Sequence, residues 1–254
     1  MTANAPDWLV ARPIAHRGLH DERGGIVENT VQAALAAVAR GLPIECDVQT
    51  SADGEAMVFH DSDLERLTRA SGAVKDRTAG ELASIAFKIG QSRIPTFRQL
   101  QEAVAGRVPI ICEIKSDFDG DMRLAETIGR LADDYAGPLA IKSFDPAIIA
   151  RLRRAPASAQ PRPLGIVAQA DYSGEDWRAL SARQKLECAN FLHYPETRPD
   201  FLSFWVEDLP HPTPFLLRAI KSVPVMAWTV RSPAQKDKAL QWADQIVFEG
   251  DVAF

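Results

Sequence analysis

The stretch PIECDVQ (43–49) reads as a strand, yet it carries two carboxylates, Glu45 and Asp47. Strand side chains alternate between faces, so Glu45 and Asp47 point one way while Ile44, Cys46 and Val48 point the other. The pattern recurs in IICEIK (110–115), where Glu113 and Lys115 share a face opposite Cys112 and Ile114. Like charges left bare in a low-dielectric site resist ionising together, and a divalent cation removes that conflict. Three carboxylates with no thiolate on their face make a hard oxygen site suited to Mg²⁺ or Ca²⁺. The competing reading is a buried salt-bridge network with Lys115 or Arg17. Three acids at strand ends favour the metal over it. His16 ends AHRG and His60 ends MVFH; both are side chains that exchange protons near neutral pH. Arg17 and Lys115 beside a metal would hold a phosphate, with Gly18 allowing close backbone approach. Metal, paired bases and paired histidines together describe a site for phosphoryl-ester chemistry.

The elements that must position these groups alternate. Strand-like runs fall at 13–16, 43–48, 56–60, 108–114, 138–144, 163–168, 200–206, 223–230 and 245–250. Helical stretches separate most of them. NTVQAALAAVARG (29–41) has Asn29 or Thr30 as cap and Gly41 as stop. The segment 121–137 has helical apolar spacing, 145–155 opens with Asp then Pro, and two more helices follow from PTPFLLRAIKSV and PAQKDKALQWA. Such alternation predicts a parallel sheet covered by helices, open or closed. A TIM-type (β/α)8 barrel, one α/β domain over 1–254, is the preferred form, since no glycine fingerprint follows the first strand. Nine runs are one too many for eight strands. The surplus is either the run ending at His60 or the terminal QIVFEG. The Pro- and Ala-rich stretch 153–163 is expected to be a loop.

Bulk properties agree. The 254 residues carry a net charge of −5, which argues against nucleic acid or an anionic membrane surface as partner. Cys46, Cys112 and Cys188 are widely spaced, without a CxxC pair, and are expected to be reduced, buried and small. With no signal-peptide pattern at the N-terminus and no membrane-spanning run, the expected location is cytoplasmic.

AHRG, ENT (28–30), IECDVQTSADGEAMVFHD, CEIK, SFD (143–145) and WTV (228–230) occur here in an order and spacing that resembles the glycerophosphodiester phosphodiesterase family, in a short bacterial form without an insertion domain. The resemblance spans nearly the whole chain. It implies a TIM barrel and hydrolysis of a glycerophosphodiester to sn-glycerol 3-phosphate and an alcohol, in glycerol and lipid metabolism. By the same resemblance, His16 and His60 are the general acid/base pair, and Glu45, Asp47 and Glu113 bind the metal. Arg17 and Lys115 hold the phosphate, Glu28 and Asn29 shape the site behind the first strand, and Trp228 walls the glycerol end.

Two positions depart from the family pattern. Arg231 stands where Asn commonly follows WTV, and IVFEGD replaces an IITD-type ending. The leaving alcohol, the preferred metal and the oligomeric state stay open. A lysophospholipid or sphingolipid-type diester is the alternative substrate, and a non-catalytic phosphate-binding barrel the alternative function. His20, His193 and His211 are expected to be solvated, and Trp8, Trp177 and Trp242 to pack.

Overall fold

The computed structural model describes residues 5–155 and 162–252; the middle of the expected 153–163 loop lies outside the described residues. Eight strands run parallel: β1 (Ile14–Ala15), β2 (Ile44–Thr50), β4 (Ile110–Ile114), β5 (Leu139–Ser143), β6 (Leu164–Ala168), β7 (Phe201–Trp205), β8 (Val225–Val230) and β9 (Gln245–Phe248). β1 bonds to both β2 and β9, which closes the barrel. The ninth run, β3 (Ala56–Val58), pairs antiparallel with β2. The surplus run is therefore the one ending at His60, because the short link from β2 leaves room only for a hairpin.

Packing divides as a barrel requires. Ile44, Cys46, Val48, Ile110, Cys112 and Ile114 face outward into one continuous apolar layer under the helices. The barrel interior is plugged by Leu9, Ile14, Ile111, Ala140, Phe201, Met226 and Val247. Gly165 on β6 is small because Phe201 fills the space beside it. A Cβ there would sit 2.4 Å from the Phe201 ring. The charged side chains lie above this apolar plug, toward the C-terminal ends of the strands.

Helix starts follow local chemistry. Thr30 caps Val31–Ala39 through a hydrogen bond from the Ala33 N–H, so Thr30 and not Asn29 is the cap, and Asn29 is free for another task. Asp145 caps Pro146–Arg153 in the same way, with Pro in the first turn. The helices at 121–137, 212–223 and 233–243 form as Arg123–Asp134, Pro212–Lys221 and Pro233–Trp242. Among the described residues four more helices appear, Ala79–Ser84, Phe97–Val104, Ala182–Ala189 and Tyr194–Thr197, the first three capped by a Thr or Ser box.

The connection from β3 to β4 has its own apolar cluster of Val27, Met57, Phe59, Leu64, Val74, Leu82, Phe87 and Ile94. That cluster fixes the backbone just after β3, where His60, Asp61 and Arg66 project.

Candidate active site

Register builds the acidic centre. Asp47 and Glu113 are directly paired across β2 and β4, and Glu113 is paired with Lys142 on β5. Glu45 lies one step below Asp47 on the same inward face. One oxygen from each of Glu45, Asp47 and Glu113 lies within 4.8 Å of the others, and all three residues are buried. Cations surround them. Lys115 Nζ is 2.8 Å from Asp47 Oδ1 and 2.5 Å from Glu113 Oε1. Lys142 Nζ is 3.0 Å from both Glu45 Oε1 and Glu113 Oε2. Arg17 donates its backbone N–H to Glu45 Oε2 at 3.1 Å, and its Nε lies 3.3 Å from Asp47 Oδ2.

These charges set one another. Burial alone would raise the Asp47 and Glu113 carboxyls. For Asp47, Lys115, His60, Arg17 and His16 outweigh it and hold the group well below the usual range. For Glu113, Lys115 and Lys142 bring it down to about 2. Burial would lower the two lysines, but Asp47 and Glu113 raise Lys115, and Glu45 and Glu113 raise Lys142. All of these groups are therefore ionised near neutral pH.

The donor set fits a hard divalent cation. It consists of carboxylate oxygens, and among the described residues Glu45 Oε1 receives no hydrogen bond of good geometry despite being fully buried. Of the two lysines, Lys115 is the more exposed, at 18% against 2% for Lys142. The salt-bridge network and the candidate cation site thus share the same carboxylates, with Lys115 and Lys142 balancing the acids.

Asn29 locks the centre from behind. Its Nδ2 donates to Asp47 Oδ2 at 2.9 Å, and its Oδ1 accepts from the Asp47 backbone N–H at 3.1 Å. It does so from a left-handed backbone, φ 55°, as does Arg17. Gly18, at φ +78°, is required for close approach, but to the next helix: a Cβ there would meet the Ala33 backbone at 2.8 Å. Glu28 lies outside the Glu45–Asp47–Glu113 cluster and accepts from Arg17 Nη1 at 2.7 Å and from Arg66 Nη2 at 2.7 Å.

The histidines stand at the ends of β1 and β3. His16 Nδ1 lies 2.5 Å from Glu249 Oε1, and its Nε2 lies 3.9 Å from Glu45 Oε2. His60 Nδ1 lies 2.7 Å from Asp61 Oδ1, and the His60 carbonyl accepts from Gln49 Nε2. Trp228 is half-buried at the mouth, donates to the Ser203 carbonyl at 3.1 Å and meets the Phe144 ring edge-on at 5.5 Å. A cavity of about 410 Å³ opens beside Lys115, lined by Gln49, Ser62, Asp76 and Asp117 among others.

Four residues at this site escaped the sequence reading: Lys142, Glu249, Asp61 and Arg66. Asp61 carried a signal in its place next to His60. Lys142 sits in an apolar run, and Glu249 reaches His16 only when the barrel closes. The other histidines differ from the expectation of solvation. His193 packs on Phe191, His211 stacks on Phe204, and burial lowers the pKa of His20.

A sequence model of the Glycerophosphoryl diester phosphodiesterase family matches residues 16–248, from the first histidine to the last strand. The chain belongs to this family. A glycerophosphodiester phosphodiesterase of Caldanaerobacter subterraneus is 38% identical over 111 residues, 41% of this chain and 44% of that protein, so the match spans less than half of that relative. The glycerophosphodiester phosphodiesterase 1 of Rattus norvegicus is 26% identical over 56% of this chain and 45% of its own. Among solved structures, an Oleispira antarctica phosphodiesterase in complex with the product sn-glycerol-3-phosphate superposes with a TM-score of 0.75 at 20% identity, covering 96% of this chain and 94% of that one. The Thermotoga maritima glycerophosphodiester phosphodiesterase gives 0.68 at 22%, covering 93% and 94%. At these identities the structures establish the shared barrel.

Proposed function

We propose that the chain hydrolyses glycerophosphodiesters to sn-glycerol 3-phosphate and an alcohol, with His16 and His60 as the acid/base pair. The observation that carries this reading is that both histidines stand against the buried carboxylates of β2: His16 Nε2 lies 3.9 Å from Glu45 Oε2, and Phe59, the residue before His60, donates its N–H to the Asp47 carbonyl at 3.0 Å. Family membership and the product named for the Oleispira relative support the substrate class.

Glu45, Asp47 and Glu113 would hold the Mg²⁺ or Ca²⁺ ion. When bound, such an ion supplies Lewis-acid stabilisation of charge on phosphate and glycerol oxygens. The chain's own residues do the rest. One histidine removes the proton from the glycerol hydroxyl next to the phosphate, and that oxygen attacks phosphorus. The bond to the leaving alcohol breaks, and the other histidine gives the alcohol its proton. Water then opens the cyclic phosphate with the two roles reversed, which returns both rings to their starting states. Lys115, freed from the carboxylates, turns to the phosphate, and Arg17 holds it from the β1 side. Trp228 excludes water at the glycerol end. Three free, buried cysteines support a reducing, cytoplasmic setting. No described helix is long and apolar enough to cross a membrane.

The test is release of glycerol 3-phosphate from glycerophosphocholine, glycerophosphoethanolamine and glycerophosphoglycerol, in EDTA and then with Mg²⁺ or Ca²⁺ restored. Metal-dependent release from any of them is expected. His16→Ala and His60→Ala should each lose most turnover and keep metal binding. Undiminished activity in His16→Ala would overturn the assignment. Silence on all three diesters with metal bound would move the substrate to a lysolipid or another diester.

A further inference from the structure

Each of the two histidines is backed by a carboxylate, and each carboxylate by an arginine. Glu249 Oε1 lies 2.5 Å from His16 Nδ1, and Arg231 grips Glu249 through both oxygens, Nε to Oε2 at 2.6 Å and Nη2 to Oε1 at 2.9 Å. Asp61 Oδ1 lies 2.7 Å from His60 Nδ1, and Arg66 grips Asp61 in the same forked way, Nε to Oδ2 at 2.5 Å and Nη2 to Oδ1 at 2.9 Å. His16, Arg231 and Glu249 come from three separate strand ends, whereas His60, Asp61 and Arg66 lie in one short stretch after β3, so the same arrangement is reached in two different ways.

We propose that Glu249, braced by Arg231, is a positioning residue for His16, and that Asp61, braced by Arg66, has the same role for His60. Each carboxylate accepts the Nδ1 proton and thereby leaves Nε2 as the nitrogen that exchanges a proton with substrate. The proposal rests on the acid/base assignment of the two histidines made above.

For His16 the geometry decides which nitrogen is tied. Glu249 is at hydrogen-bond distance from Nδ1, whereas Glu45 is 3.9 Å from Nε2, beyond one. A carboxylate accepts and cannot donate when ionised, so it selects the Nδ1–H tautomer. The arginine adds two things. A planar fork on both oxygens fixes the plane of the carboxylate, and with it the ring. Its charge also keeps the carboxylate from drawing the proton off the imidazole. Burial would raise the Glu249 carboxyl, but His16 and Arg231 hold it far below its usual value.

The bracing residue is itself fixed. Arg231 follows β8, Glu249 follows β9, and the Glu249 N–H donates to the Val230 carbonyl at 3.1 Å. The Arg231 N–H donates to Gln235 Oε1 at 2.7 Å in the first turn of the next helix. Arg231 and the IVFEGD ending, the two places where the sequence departs from the family pattern, meet here through the Arg231–Glu249 pair.

The experiment is ¹⁵N NMR of the imidazole rings in the full chain, in EDTA, at a pH where the rings are neutral. His16→Gln and His60→Gln variants assign the two signals. In the wild type both rings should carry the proton on Nδ1. In Glu249→Gln, Arg231 keeps the amide oxygen and turns the NH₂ toward His16. The His16 proton should then move to Nε2 while the His60 signal stays, which also shows that the variant is folded. Asp61→Asn should do the reverse. With metal restored, Glu249→Gln should lose at least about 100-fold in kcat with KM changed less than about twofold. Arg231→Met should keep the Nδ1 proton and lose about tenfold. A wild-type His16 protonated on Nε2, or a Glu249→Gln variant with unchanged ring signals, would overturn the proposal. The ring signals need no substrate, so a wild type inactive on every diester would sink the proposed function and leave this test standing.

Discussion

Glu113 and Lys142 are register partners on β4 and β5, and the ammonium lies 3.0 Å from Glu113 Oε2 inside a barrel that buries both residues. The same ammonium reaches Glu45 at 3.0 Å, so one lysine holds two of the three carboxylates in place from below. Lys142 bridges Glu45 and Glu113, while Lys115 bridges Asp47 and Glu113 from a more exposed position.

Lys142→Met should therefore leave buried Glu45 without its ammonium and Glu113 with Lys115 as its remaining ion-pair partner. Breaking such a pair costs about 3–5 kcal/mol, or a fall in Tm of about 10 °C for a chain of this length. The loss should be largest in EDTA and shrink when Mg²⁺ or Ca²⁺ is added, since the ion replaces the missing charge. Equal losses with and without metal, measured by thermal melts, would mean that the ion does not bind between these acids.

Glu45, Asp47 and Glu113 were readable because strands alternate: a two-residue spacing in two separate runs fixed the shared face before any pairing was known. His16 and His60 were readable as strand ends. Lys142 was not, because one lysine in PLAIKSF looks like a side chain reaching for solvent, and only barrel closure turns it inward. Glu249 lies 233 residues from His16, and nothing local links them. The surplus strand stayed ambiguous for a similar reason. β3 has a strand's composition, and its antiparallel direction follows only from the tight link after β2. The short helix Phe97–Val104 buries Phe97, Leu100, Gln101 and Val104 at helical spacing, but eight residues give that pattern barely two turns in which to repeat.

Asn29 tests whether the clasp on Asp47 matters to the metal. Asn29→Ala removes both hydrogen bonds and puts a Cβ without polar compensation at φ 55°. Asn29→Gly removes the same bonds without the backbone strain. Both should weaken metal binding by about 10–100-fold in calorimetry. The Ala variant should be the less stable by about 1 kcal/mol. Unchanged metal affinity in Asn29→Gly would show that Asp47 is held well enough by its strand.

His193 predicts an acid-sensitive term in stability far from the catalytic end. Burial against Phe191 pushes its pKa down from the usual 6.5 to about 4. The folded ring stays neutral while the unfolded one takes up a proton. Its stabilising contribution is thus complete above about pH 6.5 and is lost as the pH falls toward 4, by up to about 3 kcal/mol. In urea titrations across that window, His193→Leu should flatten the slope relative to wild type. An unchanged slope would mean the ring is wetter than its packing suggests.

Gly165 and Phe201 are register partners on β6 and β7, and the aromatic ring occupies the volume where a β6 side chain would point. Gly165→Ala inserts a methyl 2.4 Å from that ring, in the closed plug of the barrel, where no loop can yield. Overpacking of this kind costs about 1–3 kcal/mol. The clash is with one side chain, so it should be relieved by shrinking that side chain. Phe201→Leu alone leaves a cavity and destabilises, but the double variant should be more stable than the two single losses added together. A coupling of about 1 kcal/mol or more in the four-protein cycle is expected. Strict additivity would mean that Gly165 is needed for its backbone and not for the room it leaves Phe201.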